Sequence, residues 1–101
     1  MYLYNVTVNL DNDIVNDWLE WMQSKHIPDV LATGHFLSYK IAKLLEPESE
    51  PNTTTFMIQY ELKSLEDLQI YRNTVMPQLQ KDHNDRYGKK FVAFRSVIQI
   101  L

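Results

Sequence analysis

The sequence of 101 residues contains no cysteine and only two glycines. Without cysteine the chain cannot form disulfides or thiolate metal sites, and it suits a reducing compartment. Two glycines are too few for a glycine-rich phosphate loop, and no Gly-x-Ser-x-Gly motif is present. The chain also lacks a charged-then-apolar leader and a long apolar run. We therefore expect a soluble, cytoplasmic protein that is not exported and has no membrane partner.

Positive charge is scarce as well. Acidic residues outnumber lysine and arginine, and the net charge is −3. This balance argues against a nucleic-acid partner, because such binding needs basic surface to displace counterions. The three histidines, His26, His35 and His83, lack the spacing with carboxylates that is typical of metal sites. We therefore expect neither a metal nor another cofactor.

What the chain does contain is one pattern repeated twice: a strand, an amphipathic helix interrupted by a proline, a glycine, and another strand. Two such β-α-β halves predict an α+β, ferredoxin-like βαββαβ fold in a single domain over residues 1–101. The expected architecture is a four-stranded antiparallel sheet with two kinked helices on one face. The markers of the pattern are Pro28, Gly34 and Phe36, then Pro77, Gly88 and Phe91.

Alternating apolar and polar residues predict strands at about 2–10, 35–45, 53–63 and 91–101. The first helix is predicted to run to about Lys25, with a kink at residues 26–27, because Pro28 cannot continue a helix cleanly. A short helical piece should follow and end at Gly34. The second helix should begin at Ser64 and bend in the same way at its own proline.

Two helices can cover only one face of such a sheet. We expect the more apolar face, including Phe94 and Ile98 of the fourth strand, to meet the helices. The other face then carries an apolar patch, which monomers rarely expose. A second copy of the chain is the expected cover, since two-fold dimers are the commonest oligomers. The candidate dimer-face residues are Leu3, Leu37, Met57, Phe91 and Val97.

Polar residues on the predicted open face suggest a ligand pocket. Arg95, predicted to lie there near Glu61, can hold a carboxylate ligand by two hydrogen bonds or form a structural ion pair. His26, at the predicted kink, can act as a general acid or base, or can satisfy backbone carbonyls freed by the bend. The candidate pocket residues are Asn5, His26, Gln59, Glu61 and Arg95, and none is assigned a catalytic role.

Two segments resemble a bacterial domain-of-unknown-function family, number 4286. They are W-L-E-W-M followed by H-I-P-D-V-L-A-T-G-H-F (residues 18–22 and 26–36), and K-F-V-A-F-R (residues 90–95). The resemblance spans nearly the whole chain. That family is similar to the dimeric α/β-barrel superfamily, which includes antibiotic-biosynthesis monooxygenases, haem-degrading monooxygenases and muconolactone isomerase-like enzymes. The resemblance implies the fold and a homodimer, but it carries no assigned activity.

Two specific activities fit the sequence poorly. Asn5 and His83 resemble residues of the haem-degrading enzymes, but those enzymes also use a tryptophan on the third strand, and residues 53–63 contain none. Residues 89–94 resemble the aromatic motif of RNA-recognition domains, but they fall on the fourth predicted strand instead of the third.

Two functions remain open at the level of the sequence. One is a homodimeric barrel that binds a small molecule or acts as a small cofactor-free enzyme. The alternative is a non-catalytic dimerisation or protein-interaction module. The fold alone does not choose between them, because function resides in sites that differ among proteins of one fold.

Overall fold

The structure, a computed structural model, describes all 101 residues and places the helical segments on one side of a four-stranded sheet. The predicted βαββαβ order is confirmed, and each predicted helix contains two α-helical segments. In chain order the elements are β1 (Tyr2–Asp11), a 3₁₀ turn (Asn12–Ile14), α1 (Val15–Trp21), a π-helical segment (Met22–His26), α2 (Ile27–Ala32), β2 (Ser38–Lys43), β3 (Thr53–Leu62), α3 (Leu65–Thr74), α4 (Met76–Tyr87) and β4 (Phe91–Gln99).

The sheet has the strand order β2-β3-β1-β4, and every neighbouring pair is antiparallel. The central strand β1 pairs with β3 on one side and with β4 on the other, so that Val6 lies opposite both Ile58 and Arg95. Residues directly opposite each other share a face of the sheet. This register therefore decides which side chains meet the helices.

Both prolines lie in the first turn of a helix, where a missing backbone N–H costs little. Pro28 is in the first turn of α2 and Pro77 is in the first turn of α4. Before Pro28 the chain widens into the π-helical segment instead of breaking, which relieves the clash that a proline makes with the preceding turn. Before Pro77 the break falls at Val75. None of these helices is long and apolar enough to span a membrane.

Ser64, the predicted start of the second helix, caps α3. The Asp67 backbone N–H donates to Ser64 Oγ at 3.2 Å, and the Ser64 hydroxyl donates to Asp67 Oδ2 at 3.0 Å. This arrangement satisfies one of the backbone donors that a helix start leaves free, and its negative charge suits the helix dipole.

The core consists of 16 buried apolar side chains between the helices and one face of the sheet. Trp18 of α1 is fully buried against Phe56 of β3, with ring centroids 5.2 Å apart. Four further aromatic rings pack together, with centroid separations between 4.9 and 6.4 Å. They belong to Tyr4, Phe36, Tyr60 and Tyr71.

The face assignment predicted for β4 is wrong. Phe94 lies opposite Thr7 on the open face and is 63 % exposed, whereas Phe91 packs against the core beneath the helices. Arg95 and Val97 share the helix-facing side, opposite Val6 and Tyr4 respectively. Apolar residues occur on both sides of β4, so alternation alone cannot choose between them, and a shift of one residue exchanges the faces completely.

We predict that Gly88→Ala lowers the free energy of unfolding by about 1–3 kcal/mol. Gly88 ends α4 with φ of 58° and ψ of −123°, a conformation that favours glycine, and no atom beyond the glycine and its two chain neighbours lies within 4 Å of the position that an added Cβ would occupy. The cost is therefore one of backbone conformation alone. Urea unfolding measures it, with Lys89→Ala as the control. A G88A protein as stable as the wild type would contradict this account.

Candidate ligand-binding site

A cavity of about 50 Å³ lies between the helices and the helix-facing side of the sheet. Twelve of its 17 lining residues are apolar. Strands β1, β3 and β4 form its floor, and the π-helical segment, α2, α3 and α4 contribute to its walls. The polar side chains at the cavity are His26, Gln80, His83, Asn84 and Arg95.

A single hydrogen bond fixes the protonation state of His83. The indole Nε1–H of Trp18 donates to His83 Nε2 at 2.9 Å, and both residues are buried. An indole nitrogen can only donate, so Nε2 must be the unprotonated nitrogen and Nδ1 carries the proton of the neutral ring. The Phe91 ring packs edge-on against the imidazole, with centroids 4.4 Å apart. His83 is therefore a neutral imidazole with a defined Nδ1–H donor.

His26 is the last residue of the π-helical segment and lies beside His83, with ring centroids 5.9 Å apart. Burial lowers the pKa of His26 to about 4, although the carboxylates of Asp29 and Asp82 oppose this shift. Burial likewise lowers the pKa of His83 to about 4, with repulsion from His26 and Arg95 adding to the effect. Both rings are therefore neutral at physiological pH.

Arg95 extends from β4 to α4 on the same side of the sheet. With the Gln80 amide oriented by its partners, Gln80 Oε1 accepts from Arg95 Nε at 3.1 Å and from Nη2 at 3.2 Å. The positive charges of Arg95 and Arg72 act on the Tyr4 hydroxyl, whose pKa is nevertheless raised because burial is the larger effect. Arg95 forms no ion pair with any carboxylate of the chain.

Three tyrosines complete the wall of the cavity as neutral phenols. Burial raises the pKa values of Tyr4, Tyr60 and Tyr71, so none of them ionises near neutral pH. The Tyr4 hydroxyl contacts Met76 Sδ at 3.4 Å. The site thus combines apolar walls, two neutral imidazoles and one guanidinium.

The structure brings together only two of the five residues predicted for a pocket. His26 and Arg95 both line the cavity. Asn5, Gln59 and Glu61 lie on the opposite, open face of the sheet, so Glu61 cannot pair with Arg95 as the sequence suggested. Asn5 instead belongs to a polar row on that face, where its Nδ2 donates to the hydroxyls of Thr7 and Ser96.

His83 and Gln80 are site residues that the sequence analysis did not identify for this cavity. A signal for His83 was present, because Leu79, His83 and Tyr87 are spaced four residues apart on one face of α4, and all three are buried. Gln80 carries no comparable signal in the sequence. Its role depends on how closely α4 approaches β4, which only the tertiary structure defines.

The five candidate dimer-face residues are also divided between the two faces. Leu3 and Met57 lie on the open face, whereas Phe91 and Val97 lie on the helix-facing side. Leu37 precedes β2 and is exposed. The apolar residues of β4 that occupy the open face are Val92, Phe94 and Ile98, which are 70 %, 63 % and 38 % exposed.

We predict that the protein loses stability as the pH falls from about 6.5 to about 4. An unfolded histidine has a pKa of about 6.5, whereas His26 and His83 in the folded protein have values of about 4. Between these values the unfolded chain binds more protons than the folded chain. Each histidine therefore lowers the free energy of unfolding by about 1.4 kcal/mol for each pH unit of acidification. Urea unfolding across this pH range measures the dependence.

His83→Gln tests whether His83 contributes to this acid sensitivity, because glutamine keeps an acceptor for the Trp18 N–H but takes up no proton. We expect this variant to lose about half of the acid sensitivity in the window. His35→Gln is the matched control, since His35 pairs with Asp67 away from the cavity. Equal slopes for H83Q and the wild type would show that the buried imidazole is not the titrating group.

Comparison with solved structures supports the fold. HapK from Hahella chejuensis matches with a TM-score of 0.72 and 7 % identity, over 100 % of this chain and 93 % of that one. An ethyl tert-butyl ether d (ethd) family protein from Bacillus halodurans C-125 matches with a TM-score of 0.68 and 16 % identity, over 100 % of both chains.

A dimeric ferredoxin-like protein from an uncultured marine organism matches with a TM-score of 0.64 and 11 % identity, over 99 % of this chain and 96 % of that one. At these identities the likeness shows the fold alone, and it confirms the ferredoxin-like architecture.

Sequence comparison supplies the family. A search of curated protein sequences finds no significant match to this chain. The family model described as "Domain of unknown function (DUF4286)" matches residues 1–101. The resemblance noted from residues 18–36 and 90–95 is thereby confirmed over the whole chain. The protein belongs to the DUF4286 family.

Proposed function

We propose that this protein is a homodimer in which each protomer binds a small molecule in the cavity between its helices and its sheet. The observation that carries the proposal is the cavity itself. It joins apolar walls to a few convergent polar groups, among them a guanidinium that lacks a carboxylate partner. Concave, mostly apolar sites with few polar groups are typical of small-molecule binding.

The open face of the sheet supports the dimer. The helices leave this face uncovered, and Val92 and Phe94 at its β4 side are among the most exposed large apolar residues of the chain. Exposed apolar patches of this kind mark interaction surfaces. A second copy is the occupant we propose, because two of the structurally similar proteins are described as dimeric ferredoxin-like proteins. The partner sheet would cover the face that the helices leave open.

Binding without catalysis fits the chemistry of the cavity best. A general base works most efficiently when its pKa lies near the operating pH. His26 and His83, with pKa values of about 4, are weak bases at neutral pH. The cavity also has no serine or cysteine nucleophile among its lining residues. Acid–base catalysis is the second candidate, favoured by the paired imidazoles, and it requires a ligand that raises the pKa of one of them.

We predict that Phe94→Asp converts the dimer into monomer at micromolar concentrations. In the proposed assembly this substitution buries an unpaired charge between two sheets, and such charges are strongly destabilising. Sedimentation velocity reports the mass. Val97→Asp is the matched control, because it adds the same charge to the same strand on the helix-facing side. Dissociation of both variants, or of neither, would contradict the open-face dimer.

We predict that butyramide, a small uncharged probe, binds in the cavity and that Ala93→Val abolishes this binding. Ala93 lines the cavity, and the added methyl groups occupy part of its small volume. Two-dimensional NMR should show saturable shifts confined to cavity residues. Ala32→Val is the control, since Ala32 is exposed at the end of α2. Equal binding by both variants, or no binding by the wild type, would contradict the proposed pocket.

A further inference from the structure

We infer that the ligand of the cavity carries a carboxylate that binds to Arg95, and that His26 takes up a proton from solvent when the ligand binds. This inference rests on the proposed function and specifies the chemical class of the ligand. It depends on three features of the site: the unneutralised charge of Arg95, the size of the cavity, and the different hydrogen-bonding states of the two histidines.

Arg95 has no carboxylate partner within the chain. Every basic side chain that forms an ion pair in this chain is a lysine, a histidine or Arg86, so Arg95 keeps a full positive charge beside the cavity. Gln80 accepts from Nε and Nη2 and thereby orients the guanidinium. The remaining N–H groups stay available, and a guanidinium binds a carboxylate with two parallel hydrogen bonds.

The cavity restricts the rest of the ligand to a short apolar chain. Its volume of about 50 Å³ corresponds to only a few water molecules. Beside the tyrosines, the strands at its floor contribute Val6, Val8, Ile58 and Ala93, which offer no hydrogen-bonding side chains. A small aliphatic monocarboxylate therefore matches the site, with its charged end at Arg95 and its chain against β1, β3 and β4.

The two histidines differ in their ability to accept a proton. His83 Nε2 already accepts the Trp18 N–H, so a second proton on His83 would break a buried hydrogen bond. No hydrogen bond of the chain occupies the ring nitrogens of His26. His26 is therefore the site at which a proton can be added at least cost.

The charges around His26 explain why a bound anion would change its protonation. Asp29 on α2 and Asp82 on α4 favour the imidazolium, whereas burial and Arg95 on β4 oppose it. Lys25, on the same π-helical segment, is paired with Asp29 at 2.9 Å. A carboxylate bound to Arg95 cancels the repulsion from the guanidinium and adds a negative charge near the ring. Both effects raise the pKa of His26, so binding and proton uptake favour each other.

The test uses butyrate and its uncharged isostere butyramide, each titrated into the folded protein and followed by NMR. We expect butyrate to bind at least tenfold more tightly than butyramide, and several-fold more tightly at pH 5.5 than at pH 7.5. The imidazole Cε1–H signal of His26 should titrate at higher pH in the presence of butyrate. The signal of His35, which lies outside the cavity, serves as the internal reference.

Arg95→Gln and Arg72→Gln form the matched pair of variants. Each removes one positive charge, but only Arg95 lines the cavity, while Arg72 lies over the Tyr4 ring at 5.5 Å. We expect R95Q to bind butyrate at least tenfold more weakly and R72Q to change the affinity by less than threefold. Equal losses of affinity in both variants would show that butyrate responds only to the overall positive charge of the protein. That result would overturn the inference that Arg95 binds the carboxylate directly.

The outcomes separate this inference from the proposed function. If butyramide binds as tightly as butyrate, the cavity is a small-molecule site but the carboxylate inference is wrong. If butyrate binds preferentially but the His26 signal does not move, the proton coupling is wrong. If neither compound binds, both the proposed pocket and this inference fail.

Discussion

Helical cover on only one face of the sheet is the constraint on which the rest of the structure depends. Strand β1 lies at the centre of the sheet, and its two faces meet different surroundings. Tyr4 and Val8 are buried beneath the helices, whereas Asn5 and Thr7 form a polar row on the other side. The two faces therefore serve different purposes: one encloses the cavity, and the other is the surface that we propose for a second copy.

Within the covered side, burial and hydrogen bonding give each polar group of the cavity a distinct state. Burial keeps His83 neutral, and the Trp18 N–H selects its tautomer. His26, without such a partner, is neutral because of its burial. Arg95 lies on the edge strand β4, where its long side chain reaches α4 and remains partly in water. Their combination suits a ligand with one charged end and one apolar end.

The fold could be predicted from the sequence because local signals and global architecture agree. The structure contains strands where the sequence alternates in residues 2–10 and 53–63. It also contains the Ser64 cap and the two glycines with positive φ after the helices. The face of β4 could not be predicted, because Val92 and Phe94 on one side are as apolar as Phe91 and Val97 on the other. The pairing of β4 with β1 decides which face of β4 meets the helices, and this pairing joins residues that are far apart in the sequence.

The pairing of β4 with β1 also decides which residues of β4 face the cavity, so the sequence alone predicts the site only in part. The sequence predicts Arg95 on the open face because it assigns Phe94 and Ile98 to the helix-facing side, and the observed pairing of β4 with β1 places Arg95 beneath the helices instead. His26 was identified from its position before Pro28, since that irregular region is visible in the sequence. The Trp18–His83 contact joins residues 65 positions apart, and no local pattern predicts such a pair.

The most direct measurement of the central claim is a search for contacts between protomers. In a mixture of isotope-labelled and unlabelled chains, filtered NOE spectra detect only protons of different chains that lie close together. The account predicts such signals between side chains of the open face, with the Phe94 ring and the Met57 methyl group among them. Intermolecular signals from the surfaces of α3 and α4 instead, or none at all, would contradict it.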